Sequence, residues 1–160
     1  MFRIGHGYDL HRLVLNRPLI LCGEKIPFEK GLLGHSDADV ATHALIDSLL
    51  GAAGLYDIGH HFPDSEEKYK NINSLKLLEK TISMLEKNKF KISNVDLTIV
   101  LEQPHLSPFK DKMKKNLEAV LKIKNHQINI KATTEEGLGL TGYKQAIAAF
   151  CSSLIYENSN

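Results

Sequence analysis

Arg3-Ile4-Gly5-His6-Gly7-Tyr8-Asp9-Leu10-His11 reads as a β-strand over residues 2–10, and the rest of the fold is read outward from it. Side chains two apart in a strand project from the same face. Asp9 and His11 therefore stand side by side, a carboxylate oxygen and an imidazole nitrogen aimed at one point. That pairing suits a metal ligand set, and the remaining chain has to supply a third member.

Downstream of this strand, helical and extended patterns alternate. Pro18 to Cys22 forms a short strand ending at Gly23, and residues 25–34 a strand or loop leading into a turn. Ser36-Asp37-Ala38-Asp39 resembles a helix start, with Ser36 as the cap, for a helix over 38–53 that includes Val40, Ala44 and Leu45. Residues 56–70 are rich in Gly, Pro and Asp and read as a long loop of functional character. Leu75, Leu78, Ile82 and Leu85 share one helical face, giving a helix over 74–88. Val95 to Glu102 is strand-like, and Ser107-Pro108 opens a third helix with Ser as cap and Pro at the first position. Gln127 to Thr133 is a strand. A final helix is expected over 143–156, with Ile147, Phe150, Cys151 and Leu154 facing the core. The order predicts an α/β or α+β architecture, one mixed sheet with helices packed on one side.

Composition narrows the function. With 42% apolar and 24% charged residues in 160, the chain has the make-up of a globular protein. One domain over 1–160 is expected, ending in a polar tail at about 157–160. The net charge of +1 offers no nucleic-acid footprint, and the lysines at 110, 112, 114 and 115 read as a solvated helix face. No apolar stretch reaches the roughly 20 residues of a membrane span. No signal peptide precedes the first strand, and Cys22 and Cys151 match neither a disulfide framework nor a C-x-x-C pair, so a cytoplasmic protein is expected.

Four stretches carry candidate chemistry. The third ligand beside Asp9 and His11 is His43, one helical turn after Asp39 and one before Asp47, either of which could orient its second ring nitrogen. Asp9, His11 and His43 would leave a fourth position open, the pattern of catalytic zinc, and two imidazoles favour zinc over magnesium. Gly34-His35-Ser36-Asp37 enters a helix N-terminus, where His35 can reach a phosphoryl oxygen. In Asp57-Ile58-Gly59-His60-His61-Phe62-Pro63-Asp64, adjacent histidines diverge, so at most one touches a ligand, whereas the carboxylates suit the hydroxyls of a polyol or ribose. Lys131-Ala132-Thr133-Thr134-Glu135-Glu136 offers hydroxyls to phosphoryl oxygens and a carboxylate to magnesium. The G-x-G-x-x-G match at 137–142 fails as a dinucleotide fingerprint, because such a fold needs a further βαβ unit and only the 18 residues after Gly142, read as one helix and a polar tail, remain. From these residues alone, a zinc phosphodiesterase that activates water and a binding scaffold with structural zinc stay open beside a phosphoryl-transfer enzyme.

Together, the strand with Asp9 and His11, the stretch Lys30-Gly31-Leu32-Leu33-Gly34-His35-Ser36-Asp37, the loop 57–64 and the segment 131–136 resemble the 2-C-methyl-D-erythritol 2,4-cyclodiphosphate synthase family of the non-mevalonate isoprenoid pathway. The resemblance implies a homotrimer with active sites between subunits and zinc on Asp9, His11 and His43. It implies a second cation, Mg2+ or Mn2+, held by Glu136 beside a diphosphate. The implied substrate is 4-diphosphocytidyl-2-C-methyl-D-erythritol 2-phosphate, whose own 2-phosphate attacks the β-phosphorus and expels CMP. His35 and Thr134 would stabilise the transferring phosphoryl group. Ser36, Asp57, Gly59, Phe62 and Asp64, with Asp9 and His11, would hold the methylerythritol end. Residues 101–106, Thr133, Thr134, Glu135 and Glu136, with Leu140 and Tyr143, would line the cytidine and phosphate pocket across the subunit boundary. Leu140 and Tyr143 depart from the aromatic and Arg common at those positions in the family.

Overall fold

The computed structural model describes residues 1–158. Its centre is a five-stranded mixed sheet in the order β4-β1-β7-β5-β6, formed by β1 (Phe2–Leu15), β4 (Lys30–Leu32), β5 (Phe90–Val100), β6 (Ile128–Thr133) and β7 (Ala146–Glu157). β1 runs antiparallel to β4 and β7, β7 antiparallel to β5, and β5 parallel to β6. A separate two-stranded hairpin joins β2 (Leu19–Leu21) to β3 (Glu24–Ile26). Helices α1 (Val40–Ala53), α3 (Ser74–Lys87) and α4 (Lys110–Leu121) cover one face of the sheet, and two single-turn helices, α2 (Ile58–His61) and α5 (Gly139–Gly142), sit in the loops.

α1 is the core helix. Val40, Ala41, Ala44, Leu45, Ile46, Leu49, Leu50, Ala52 and Ala53 are all buried, so it is apolar around nearly its whole circumference, as a helix enclosed on all sides must be. Each of its large aliphatic side chains contributes about 1.5–3 kcal/mol by leaving water. Its start is set by Asp39, fully buried, whose carboxylate accepts from the amides of Thr42, Cys22 and Gly23 and from the Thr42 hydroxyl. One side chain thus caps the helix and ties it to the β2–β3 hairpin. Gly54, in the left-handed conformation with φ 70°, ends it.

The helix lies unusually close to β1 because that strand presents glycine toward it. A Cβ on Gly5 would sit on the Ser48 carbonyl oxygen and 2.6 Å from the Ala52 nitrogen. One on Gly7 would sit on the Ala44 carbonyl oxygen and 2.7 Å from the Ser48 nitrogen. The opposite face of β1 carries Phe2, Ile4 and Tyr8, all exposed, and β7 adds Phe150 beside Tyr8, with ring centroids 4.9 Å apart.

The expected final helix over 143–156 is instead β7, a central strand of the sheet. Ile147, Ala149, Cys151, Ser153 and Ile155 are buried beneath the helices, whereas Phe150 and Ser152 are exposed, which is period two. Ile147 and Cys151 face the core as expected; Phe150 and Leu154 fall on the other face. The small residues Ala148, Ala149 and Ser153 blur the alternation, and pairing with strands on both sides decides the conformation. Several boundaries also move, and β1 runs on to Leu15 instead of ending at residue 10. The first helix is capped by Asp39 rather than Ser36, α4 starts at Lys110 without a side-chain cap from Ser107, and β5 begins at Phe90 rather than Val95. Glu157 ends β7 rather than opening a tail, and residues 159 and 160 of that expected tail lie outside the described residues.

Gly7→Ala is expected to destabilise the protein by about 3 kcal/mol, since backbone rather than a flexible side chain opposes the new methyl. Urea unfolding measures this, and a midpoint equal to that of the parent would contradict the close seating of α1 on β1.

Candidate metal centre and its cavity

Two elements bring three polar groups to a common point. Asp9 and His11 project from β1 and His43 from the second turn of α1, and their ligand atoms lie within 4.8 Å of one another. Asp9 Oδ2 is 3.0 Å from His11 Nε2 and 3.0 Å from His43 Nδ1, and the two ring nitrogens are 3.3 Å apart. A tetrahedral centre with ligand bonds of about 2.0 Å has edges of about 3.3 Å, so these spacings fit the three edges of one tetrahedral face.

The surroundings fix which lone pairs point inward. His11 Nδ1 is 2.9 Å from the Leu33 carbonyl oxygen, which can only accept, so Nδ1 carries the proton and Nε2 faces the centre as a lone pair. His43 turns Nε2 to the hydroxyls of Ser74, at 2.9 Å, and Ser36, at 3.1 Å. The second oxygen of Asp9 accepts from the Leu10 amide at 2.8 Å. Burial alone would raise the Asp9 carboxyl, but the hydrogen bonds and charges of the two histidines hold it far below the usual carboxylate range. Burial would lower His11, yet its hydrogen bond to Asp9 and that negative charge raise it above its ordinary 6.5. Converging lone pairs beside a carboxylate attract either a proton or a cation, and the residues fit a divalent metal.

The centre opens into a cavity of about 510 Å³ lined by Gly34, His35, Ser36, Gly59, Phe62 and Asp64, among others. His35 Nε2 is buried there without a hydrogen-bond partner. Asp47 accepts from the Ile58 amide at 2.8 Å and so pins α2 to α1, while Phe62 packs edge-on to Tyr69 with ring centroids 5.6 Å apart. Gly59 and Asp64 thereby line the same cavity as the metal centre.

Other expected residues lie elsewhere. Asp57 caps α2 through Oδ1, accepting from the His60 amide at 2.8 Å, and does not line the cavity. Neither histidine of the loop reaches the centre: His60 stacks on Tyr56, and His61 donates to the Leu55 carbonyl oxygen at 2.6 Å. Thr133, Thr134, Glu135 and Glu136 end β6 and its following turn outside this cavity, and Leu140 and Tyr143 are exposed beside them. There the Thr134 hydroxyl donates to Glu136 at 2.9 Å, and Glu102 accepts from the Glu135 and Gly137 amides. Neither Asp39 nor Asp47 orients His43, because both carboxylates are committed to backbone amides. Ser74 takes that place, and it was not visible in the sequence: a serine at the start of a helix reads as an ordinary polar residue.

Comparison with known proteins agrees with this geometry. The chain belongs to the YgbB family, whose model matches residues 2–156. A 2-C-methyl-D-erythritol 2,4-cyclodiphosphate synthase of Clostridium perfringens is 58% identical over 147 residues, covering 92% of this chain and 94% of that protein. IspF of Plasmodium falciparum, solved as a CDP complex, superposes with a TM-score of 0.87 at 35% identity, over 99% of this chain and 97% of that one. The bifunctional IspDF of Campylobacter jejuni superposes at a TM-score of 0.95 with 38% identity; it covers all 100% of this chain, which spans 44% of that protein.

Metal and proton compete for His11 Nε2. Because burial and the Asp9 carboxylate leave His11 with a net shift above 6.5, metal affinity should fall already as pH drops toward that value and keep falling below it. In the metal-free protein, protonated His11 contributes stability that is complete below pH 6.5 and lost as pH rises through the raised value. Chelator competition at pH 8 and pH 6 checks the first effect, and equal affinities at both would contradict it.

Proposed function

We propose that this chain converts 4-diphosphocytidyl-2-C-methyl-D-erythritol 2-phosphate to 2-C-methyl-D-erythritol 2,4-cyclodiphosphate and CMP. It is an enzyme of isoprenoid precursor biosynthesis, a cyclodiphosphate synthase acting as a phosphorus–oxygen lyase. Family membership and the names of its relatives support the activity. The observation that carries the chemistry is the meeting, in one cavity, of the Asp9, His11 and His43 lone pairs with the buried, unpartnered Nε2 of His35.

Two imidazoles and one carboxylate favour zinc, one per subunit, and three ligands leave a position for substrate. Bound zinc would supply Lewis-acid polarisation of a phosphoryl oxygen. The protein's own groups do the rest. His35 donates to an oxygen of the transferring phosphoryl group, and Thr134 supports the same group from the other side. Asp64 and the Gly59 backbone take hydroxyls of the methylerythritol, with Ser36 and Phe62 shaping the cavity and Asp57, beyond its lining, serving that end by capping the turn that carries Gly59. The nucleophile is the substrate's ionised 2-phosphate, so no strong general base is needed: its oxygen bonds to the β-phosphorus as the bond to the CMP oxygen breaks. Positioning and charge stabilisation account for the acceleration. Glu136 would hold Mg2+ or Mn2+ on the diphosphate, with Thr133, Glu135, Leu140 and Tyr143 toward the cytidine.

Those last residues lie outside the cavity of their own subunit, which supports a site completed by a second copy. The uncovered sheet face supports the same reading, because Ile4 and Tyr8 are 78% and 50% exposed on it. A homotrimer closing these faces around an axis would bury them. The chain then acts as one catalytic domain over 1–160 in the cytoplasm, with a small-molecule substrate and neither nucleic acid nor membrane as partner; no helix among the described residues is long and apolar enough to cross a membrane.

Phosphorus NMR of the protein with this substrate, zinc and magnesium is expected to show stoichiometric CMP and a cyclic diphosphate. A linear diphosphate would assign a hydrolase instead. Ile4→Glu should lower the mass by light scattering from three copies to one, whereas a monomeric parent protein would refute the trimer.

A further inference from the structure

Behind His43 lies a chain of hydrogen bonds that ends in a carboxylate. Ser74 is the first residue of α3 and is fully buried. Its hydroxyl donates to Asp37 Oδ1 in a short contact, and its amide donates to Asp37 Oδ2 at 2.9 Å. Asp37 is itself held by its own amide, which donates to the Ile72 carbonyl oxygen at 3.1 Å. A serine hydroxyl has one proton, and an ionised carboxylate can only accept. With that proton committed to Asp37, the Ser74 oxygen faces His43 Nε2 as an acceptor, 2.9 Å away. His43 then holds a proton on Nε2, which leaves Nδ1, 3.0 Å from Asp9 Oδ2, as the nitrogen that can give its lone pair to a cation.

We propose that Asp37 and Ser74 are positioning residues of the metal centre, a carboxylate–hydroxyl relay that sets the tautomer of His43. This rests on the assignment of Asp9, His11 and His43 as metal ligands. The relay does for His43 what the Leu33 carbonyl does for His11, but with a charged terminus. Such partners behind metal-bound histidines fix ring orientation and strengthen the ligand, and losing them costs about 10–100-fold in metal affinity.

The polarity of the relay makes it testable without changing its shape. In Asp37→Asn, the Ser74 amide at 2.9 Å from Oδ2 outcompetes the Asp39 amide, which reaches Oδ1 only at 3.3 Å, so the carbonyl oxygen of the new side chain takes the place of Oδ2. Its NH2 group then faces the Ser74 oxygen as a donor. Ser74 turns its own proton toward His43, which now favours Nδ1–H and loses the inward lone pair. Ser74→Ala removes the relay but leaves the Ser36 hydroxyl 3.1 Å from His43 Nε2, so its effect should be smaller. Ser74→Thr keeps the hydroxyl.

The experiment is zinc affinity by chelator competition, with nitrogen-15 NMR of the metal-free proteins to read the His43 tautomer. Asp37→Asn is expected to weaken zinc by about 10–100-fold and to move the proton to Nδ1, Ser74→Ala to weaken it by up to about 10-fold, and Ser74→Thr to restore most of the loss. Parental affinity and an unchanged tautomer in Asp37→Asn would overturn the relay. If that variant does not fold, equal zinc affinity in Ser74→Ala and the parent overturns it instead. His43→Ala serves as the separate control: if it binds zinc as tightly as the parent, the ligand assignment fails, not the relay alone.

Discussion

The contact between α1 and the glycine face of β1 is the constraint on which the site depends. Where Gly5 and Gly7 face α1, helix backbone replaces side chain as the neighbour of the strand. The helix is therefore seated at a distance set by backbone atoms rather than by adaptable side chains. Asp9 and His11 continue the same strand and His43 the same helix, so the separation that permits three ligand atoms to meet is inherited from two missing Cβ atoms. Asp39 adds rotation and register: by capping α1 and binding the hairpin amides of Cys22 and Gly23, it fixes which side of the helix His43 occupies.

A second layer converts proximity into chemistry. Every group behind the three ligands is placed so that a lone pair points inward: the Leu33 carbonyl behind His11, the Ser74 hydroxyl behind His43, the Leu10 amide on the other oxygen of Asp9. The depressed Asp9 and raised His11 are the electrostatic consequence, since a carboxylate with two imidazoles at 3.0 Å is relieved only by positive charge. His35 provides the complementary feature, a buried nitrogen with nothing to bind inside the protein. A cavity with a cation-seeking floor and His35 in its wall suits a phosphorylated substrate, and relatives of this chain are named cyclodiphosphate synthases.

Much of this was legible in the amino-acid sequence because it rests on short-range periodicity. The i, i+2 spacing of Asp9 and His11, the helical run through His43 and the face formed by Leu78, Ile82 and Leu85 are properties of single elements. What was not legible depends on partners far along the chain. Residues 146–157 carry apolar side chains at helical and extended spacings at once, and only β1 and β5 on either side make them a strand. Ser36 and Asp39 are both good caps by type; Asp39 wins because the hairpin supplies further donors to the same carboxylate. Ser74 meets His43 across 31 residues of sequence, a distance over which spacing carries no information. Residues 133–143 lie outside the cavity for the same reason, because the pairing of β6 with β5, and not local spacing, decides where they end.

The central claim is that Asp9, His11 and His43 are a metal site built by that glycine-seated helix. Anomalous diffraction at the zinc edge, from crystals of the zinc-loaded protein, tests it most directly. One peak per chain is expected, about 2.0–2.2 Å from Asp9 Oδ2, His11 Nε2 and His43 Nδ1. A zinc peak on other residues, with these three still paired only to one another, would contradict it.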